Sequence, residues 1–206
     1  MFKIFLSCLM FIVIFGANLN AQQILFDQSR LHYPVSSLPW AVETGDFNND
    51  GKPDIATCSR EERSVTVLFG NGDGTFSNRT DFDVGISHRS VVAVDFNDDN
   101  NVDIATANLL SDDITILLGN GDGTFQNRTT YDAGFRPSSI AVADFNGDSH
   151  LDFATNDGAI YIGNGDGTFA PGVTIASTAI EEVTGDFNGD GFDDLVVGMP
   201  FKDNKK

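Results

Sequence analysis

Beyond its first 25 residues the chain is written in short apolar runs of strand length, separated by clusters of Asp, Asn and Gly, and no run carries a helical period. Small and β-branched residues at 91–94 and 140–143 predict a first strand in each repeating unit. A second is predicted at 55–57, 104–107 and 153–155. The third alternates, with Val65, Val67 and Phe69 set for one face and Ile114, Ile116 and Leu118 at the same places one unit later. It runs into GNGDGTF at 70–76, 119–125 and 163–169, whose glycines mark a hairpin turn. A more polar fourth strand follows at 129–133. Four antiparallel strands per unit predict an all-β chain built from propeller blades.

Between the first and second strands stands the most regular feature of the sequence. DFNNDGKPD (46–54), DFNDDNNVD (95–103), DFNGDSHLD (144–152) and DFNGDGFDD (186–194) place oxygen-bearing side chains at loop positions one, three, five and nine. These are Asp46, Asn48, Asp50 and Asp54; Asp95, Asn97, Asp99 and Asp103; Asp144, Asn146, Asp148 and Asp152; and Asp186, Asn188, Asp190 and Asp194. Alternate residues of a tight loop point inward, so each loop is a candidate calcium cage of hard oxygen donors. The backbone carbonyl at position seven (Lys52, Asn101, His150, Phe192) is the expected fifth ligand, and the ninth-position Asp the closing carboxylate. An EF-hand would close with Glu at position twelve, but Thr57, Thr106, Thr155 and Val197 stand there. The flanks are strands, so the loop joins a hairpin. Position six calls for φ > 0, which Gly51 and Gly191 supply freely, Asn100 at some cost and Ser149 poorly, making 144–152 the weakest expected cage. The bland alternative is an Asx-rich turn without metal.

The cages recur every 49 residues and then after 42, from Asp46 to Asp95, Asp144 and Asp186. The third unit is shorter by five residues between its cage and its glycine turn and by two before the next cage, as expected of surface connections. Asp73, Asp122 and Asp166 in the glycine turns have no second acid nearby and read as turn residues ahead of a second metal set.

Residues 1–21 carry Lys3, an apolar run over 4–15 and then ANLNA, the pattern of a secretory signal peptide cut after Ala21, with an uncleaved anchor as the alternative. Residues 22–206 form the repeat domain, expected to be soluble and extracellular. The formal charge is −18, and −19 once the leader and Lys3 are removed, which disfavours nucleic acid and anionic lipid. Twelve of the thirty acids are cage aspartates, so four Ca²⁺ would bring the charge to −11, and the acidity reads as metal-site chemistry. Cys8 leaves with the leader; Cys58 alone remains, aligned with Ala107, and reads as a small buried hydrophobe rather than a reactive thiol. A secreted domain without a disulfide has calcium as its available staple.

The DFNxDGxxD loops, LFG or LLG before NGDGTF, and DLVVGMP at 194–200 together resemble the FG-GAP repeat of integrin α-subunit heads and the related VCBS-type repeats, over essentially all of 26–200. The resemblance implies a β-propeller with calcium in its hairpin loops, a role in adhesion or ligand binding outside the cell, and commonly seven blades. This chain departs from that number, with three complete repeats and two partial ones. Residues 26–45 align with the end of a blade and the next first strand, and 180–200 supply a first strand, a cage and a second strand. The expected arrangement is an open arc able to self-associate through its blade faces, or a cramped four-blade ring.

Asn78 and Asn127 head sequons one repeat apart, and both are expected to carry glycans in a secreted chain. His32, His88 and His150 fall at unrelated repeat positions, and no nucleophile elbow, acid pair or zinc spacing is present, which argues against an enzyme. The leading function is a calcium-dependent adhesion or ligand-binding module for an extracellular protein or glycan. The alternative is a lectin-like sugar binder, with Trp40, Tyr131 and Tyr161 as candidate stacking residues.

Overall fold

The computed structural model describes residues 33–35, 37–77, 79–156, 158–174 and 181–198. Residues 1–21, expected to be a leader, and Phe26, His32 and Asn78 lie outside them. Strands β1 (Pro39–Gly45), β2 (Asp54–Ser59), β3 (Ser64–Leu68) and β4 (Thr80–Asp83) make the first sheet. The second is β5 (His88–Val94), β6 (Asp103–Asn108), β7 (Asp113–Leu117) and β8 (Thr129–Asp132). The third is β9 (Ile140–Ala143), β10 (Asp152–Thr155), β11 (Ala159–Tyr161) and β12 (Val173–Thr174), and a two-stranded sheet of β13 (Glu181–Gly185) and β14 (Asp194–Gly198) ends the described chain. All pairings are antiparallel between sequence neighbours. The sheets are three propeller blades and a half-blade, not closed into a barrel. No helix among the described residues is long and apolar enough to cross a membrane.

Each first strand ends opposite the ninth residue of its loop: Gly45 pairs with Asp54, Val94 with Asp103, Ala143 with Asp152 and Gly185 with Asp194. The acidic loops are therefore hairpin connections, and all four are built at the same place on their blades.

Blades stack face to face, which changes what the third strand's alternation means. Val65 and Val67 are buried as the pattern requires, but Thr66 and Leu68 on the opposite face are buried too, and Phe69 falls beyond the end of β3. The second strands β2 and β6 are buried at every position. One core fills the space between blades one and two, around Phe47, Val65, Val67, Val91 and Ile104. Another fills the space between blades two and three, around Phe96, Ile114, Ile116, Phe153 and Phe169. The outer strands β4 and β8 stay exposed and polar, which keeps free sheet edges from pairing with other chains.

An aromatic step recurs along the complete blades. The strand-four ring of one blade meets the phenylalanine of the next glycine turn edge-on: Phe82 with Phe125 at 4.7 Å and Tyr131 with Phe169 at 5.5 Å between centroids. Tyr33, one repeat before Phe82, meets Phe76 in the same way at 5.2 Å. Residues 33–35 thus occupy the end-of-blade position that the sequence alignment assigns to them. In the half-blade, Val183, Phe187 and Val196 are exposed.

Candidate metal centre

The four acidic loops share one backbone conformation. Position six is left-handed in all of them, with φ of +78° at Gly51, +66° at Asn100, +72° at Ser149 and +91° at Gly191. Ser149 therefore adopts the required turn, at the steric cost a β-carbon brings. Position four is left-handed as well, at Asn49, Asp98, Gly147 and Gly189, all residue types that tolerate this region. The sequence reading missed this second requirement, although Asn, Asp, Gly, Gly in one column was its signal.

Two left-handed residues curl the backbone so that its N–H groups face the acids. The first-position carboxylate accepts from the amides of positions five and six: Asp46 from Asp50 (3.0 Å) and Gly51 (2.8 Å), Asp144 from Asp148 (3.1 Å) and Ser149 (2.8 Å). The third-position amide oxygen accepts the same fifth-position N–H, at 3.1 Å for Asn48 and 2.8 Å for Asn146 and Asn188. The fifth-position acid accepts from position seven, as Asp50 does from Lys52 and Asp99 from Asn101. Its second oxygen takes the nearest donor: the Lys52 ammonium on Asp50 (3.1 Å), the Asn97 amide on Asp99 (3.0 Å) and the Asn146 amide on Asp148 (2.9 Å). Asp50 is held below its ordinary pKa chiefly by Lys52, Asp148 by the His150 N–H and Asp186 by the Gly191 N–H.

The ninth-position acids stand apart from this ring. Asp54, Asp103 and Asp152 are fully buried, and each carboxylate bridges two backbone amides. Asp103 accepts from Phe96 (2.8 Å) and Gly119 (2.7 Å), Asp54 from Phe47 and Gly70, and Asp152 from Phe145 and Gly163. The acid so pins the start of its loop to the first glycine of GNGDGTF. That glycine is obligatory because a Cβ on Gly70, Gly119 or Gly163 would collide with the carbonyl oxygen of Pro53, Val102 or Leu151. Burial raises the pKa of all three acids, that of Asp103 to about 6. In the half-blade Asp194 is partly exposed and accepts from Phe187 (3.0 Å) and the Asn188 side chain (3.3 Å).

Positions one, three and five are therefore brought together in every loop, with position seven beside them, while the ninth forms the floor. Among the described residues no three carboxylate, imidazole or thiol groups converge on one point. The convergent set is two carboxylates and an amide oxygen, with the position-seven carbonyl next in line: hard oxygen donors only, the chemistry that calcium takes. By donor type and loop conformation the residues fit that ion.

Other sequence candidates find their places. Asp73, Asp122 and Asp166 each accept the hydroxyl of the Thr two residues on, at 2.6, 2.5 and 2.5 Å, and are lowered in pKa chiefly by it; they shape the glycine turn. Cys58 is buried, and burial lifts its thiol to about 11, so it packs and does not react. His88 is buried against the Gly85 carbonyl (2.9 Å), its pKa lowered by burial. Tyr131 and Tyr161 belong to the blade-two and blade-three core, whereas Trp40 is 52% exposed with the Arg89 guanidinium 4.1 Å above its ring. Asn127 is exposed just after its glycine turn.

Comparison with known proteins follows the same repeat boundaries. The FG-GAP-like repeat profile matches residues 46–106 and 95–155, and the FG-GAP repeat profile matches 182–205. No curated protein matches. Among solved structures the chain is similar to an Agrocybe aegerita lectin described as recognising non-reducing terminal N-acetylglucosamine, at 23% identity and a TM-score of 0.57, over 75% of this chain and 45% of the lectin. It is also similar to BBS1N in complex with ARL6DN, at 12% identity and a TM-score of 0.53, over 82% of this chain and 51% of that one. The chain thus spans about half the length of these structures, and the likeness is one of fold. With blades, loops and glycine turns in the register of the matched profile, this chain belongs to the FG-GAP-like repeat family.

Proposed function

We propose that this chain is a secreted, calcium-binding FG-GAP repeat module for adhesion or ligand binding outside the cell, with no catalytic role. The observation that carries the reading is the fourfold repetition of one oxygen-lined loop, in one conformation, at one place on successive blades. Evolutionary indifference would not preserve two left-handed positions and three converging oxygen donors four times over within plain turns.

Positions one, three and five (Asp46, Asn48 and Asp50, and their counterparts) would hold the ion, with the carbonyls of Lys52, Asn101, His150 and Phe192 completing the set. The ninth-position oxygens keep a second lone pair each beside their amide bonds. Bound calcium would neutralise acids that otherwise repel one another across the loop, and so would rigidify the end of each blade. The chain's own residues do the rest: backbone N–H groups orient the acids, and the buried ninth acid fixes the loop to its blade. Calorimetric titration of chelator-treated protein should show up to four sites in the range of roughly 10⁻⁴ to 10⁻³ M typical of extracellular modules. A flat titration at millimolar calcium would leave these loops as metal-free turns.

A carbohydrate ligand is the second reading, favoured by the exposed Trp40 on the first strand of blade one and by the fold shared with a lectin. A screen of glycans and extracellular proteins, run with calcium and with chelator, separates the two. Secretion predicts a mature chain starting near Gln22 with glycans on Asn78 and Asn127. Peptide mapping of protein from a eukaryotic host checks it, and an intact leader with both asparagines bare would contradict it.

A further inference from the structure

Each acidic loop reaches the next one through the same two positions. Asn49, at position four of the first loop, donates its side-chain amide to Asn101 Oδ1, at position seven of the second, across 2.7 Å. One junction on, His150 donates from Nδ1 to the Asp98 carboxylate at 3.0 Å. At the third junction Gly147 lies beneath the Phe192 ring, so close that a Cβ there would come to 2.7 Å from it. The register is constant while the chemistry changes: amide with amide, carboxylate with imidazole, bare backbone with aromatic ring. The pairs are matched one to one, since a side chain at 147 would strike Phe192 and a glycine at 98 would leave His150 without its acceptor.

We propose that the loops are coupled in series, residue four of each loop being a positioning residue for residue seven of the next, so that calcium in one loop raises the affinity of its successor. The inference rests on the calcium reading above. Residue four lies between the donors at three and five, and its left-handed backbone (φ +54° at Asn49, +58° at Asp98), which Asn and Asp tolerate, is part of the closed loop. Residue seven carries the carbonyl expected to bind the ion, and its N–H is already fixed to the fifth-position acid, as His150 is to Asp148 at 2.9 Å. Ordering one loop thus presents a fixed partner to the ligand-bearing residue of the next. By linkage the effect is reciprocal, and for exposed pairs such as Asp98 and His150 it belongs at the low end of usual couplings, about fivefold.

The test is a calcium titration followed through the position-six backbone amides of Gly51, Asn100, Ser149 and Gly191 by NMR, which reports each loop separately. Asp98→Gly removes the carboxylate without straining the left-handed backbone and installs the residue that loops three and four already have there. It should weaken binding in 144–152 and, by reciprocity, in 95–103 about fivefold, and shift the midpoint for 46–54 much less. Asp98→Asn, which keeps an acceptor, should retain most of the affinity. Adding His150→Phe to Asp98→Gly rebuilds the glycine-and-ring junction of 147 and 192 and should restore it. An unchanged midpoint for 144–152 in Asp98→Gly, or a loss spread equally to 46–54, overturns the coupling. Absence of any calcium-dependent shift in the unsubstituted protein overturns the calcium reading itself, and the coupling with it.

Discussion

Asp103→Ala is expected to lower the unfolding free energy by about 3 kcal/mol, most of it surviving in chelator. The carboxylate is fully buried and is the acceptor for the amides of Phe96 and Gly119. Truncation leaves both N–H groups without a partner, each costing about 1–3 kcal/mol, and opens a small void at the foot of the hairpin. Against this stands relief of a desolvated acid, visible in its pKa near 6, which keeps the net loss below the sum of the two bonds. At roughly 2–4 °C per kcal/mol for a chain of this size, the melting temperature should fall by about 6–12 °C. Asp103→Asn, keeping one acceptor oxygen but turning an NH₂ toward a donor, should lie between. Asp194→Ala is the control: that acid is partly exposed, and with one backbone amide on it among the described residues the loss should stay near about 1 kcal/mol. Thermal melts of the three variants in calcium and in chelator decide the matter. Equal, small losses at 103 and 194 would remove the structural role assigned to the buried acid.

The double duty of that acid shows where sequence reading stopped. Period, strand order, hairpin position of the loops and the glycine turns were all legible, because each depends on residues close together in the chain. The bond from Asp103 to Gly119 joins two motifs that read as separate units. Its one trace was the constant interval from Asp54 to Gly70 and from Asp103 to Gly119, unremarkable until the amide is seen on the carboxylate. The third strand's one-face sets did pack together, but burial of its other face was illegible for a different reason. Alternation describes a strand with one wet face, but stacked blades bury Thr66 and Leu68 together with Val65 and Val67. A single strand's period carries no information about the neighbour stacked upon it. The same holds for Tyr131 and Tyr161, whose role as core or as surface platform is decided by the adjoining blade. Position four was readable in principle, since Asn49, Asp98, Gly147 and Gly189 are all left-handed formers, yet its partner at position seven lies a full repeat away.

Calcium is expected to make stability fall steeply as pH falls between about pH 7.5 and 5, against a shallow dependence in chelator. In chelator Asp103, its folded pKa raised to about 6, binds more protons folded than unfolded across this window and on that account adds stability as pH falls from 7 toward 5; Asp54 and Asp152 are raised in the same direction. Asp103 alone, moving from 3.8 to about 6, supplies about 1 kcal/mol between pH 7 and 5. His88 opposes, because its folded pKa is depressed and the unfolded imidazole takes up a proton below about 6.5, so the dependence in chelator stays shallow. The acids with lowered values, among them Asp50, Asp148 and Asp186, lose their contribution only below about pH 4, outside the window. With calcium present, an ion that also takes the free lone pairs of the ninth-position acids needs Asp54, Asp103 and Asp152 ionised, so protons compete with it there and stability falls as pH falls. Four loops at about ten times their dissociation constant would add roughly 5 kcal/mol at pH 7.5, and much less at pH 5. Melting curves at four pH values in 10 mM calcium and in chelator should therefore converge from a wide separation at pH 7.5, by about 10–20 °C, to a narrow one at pH 5. Parallel curves with a constant gap would show that the ion binds away from these acids, and superimposed curves that it does not bind.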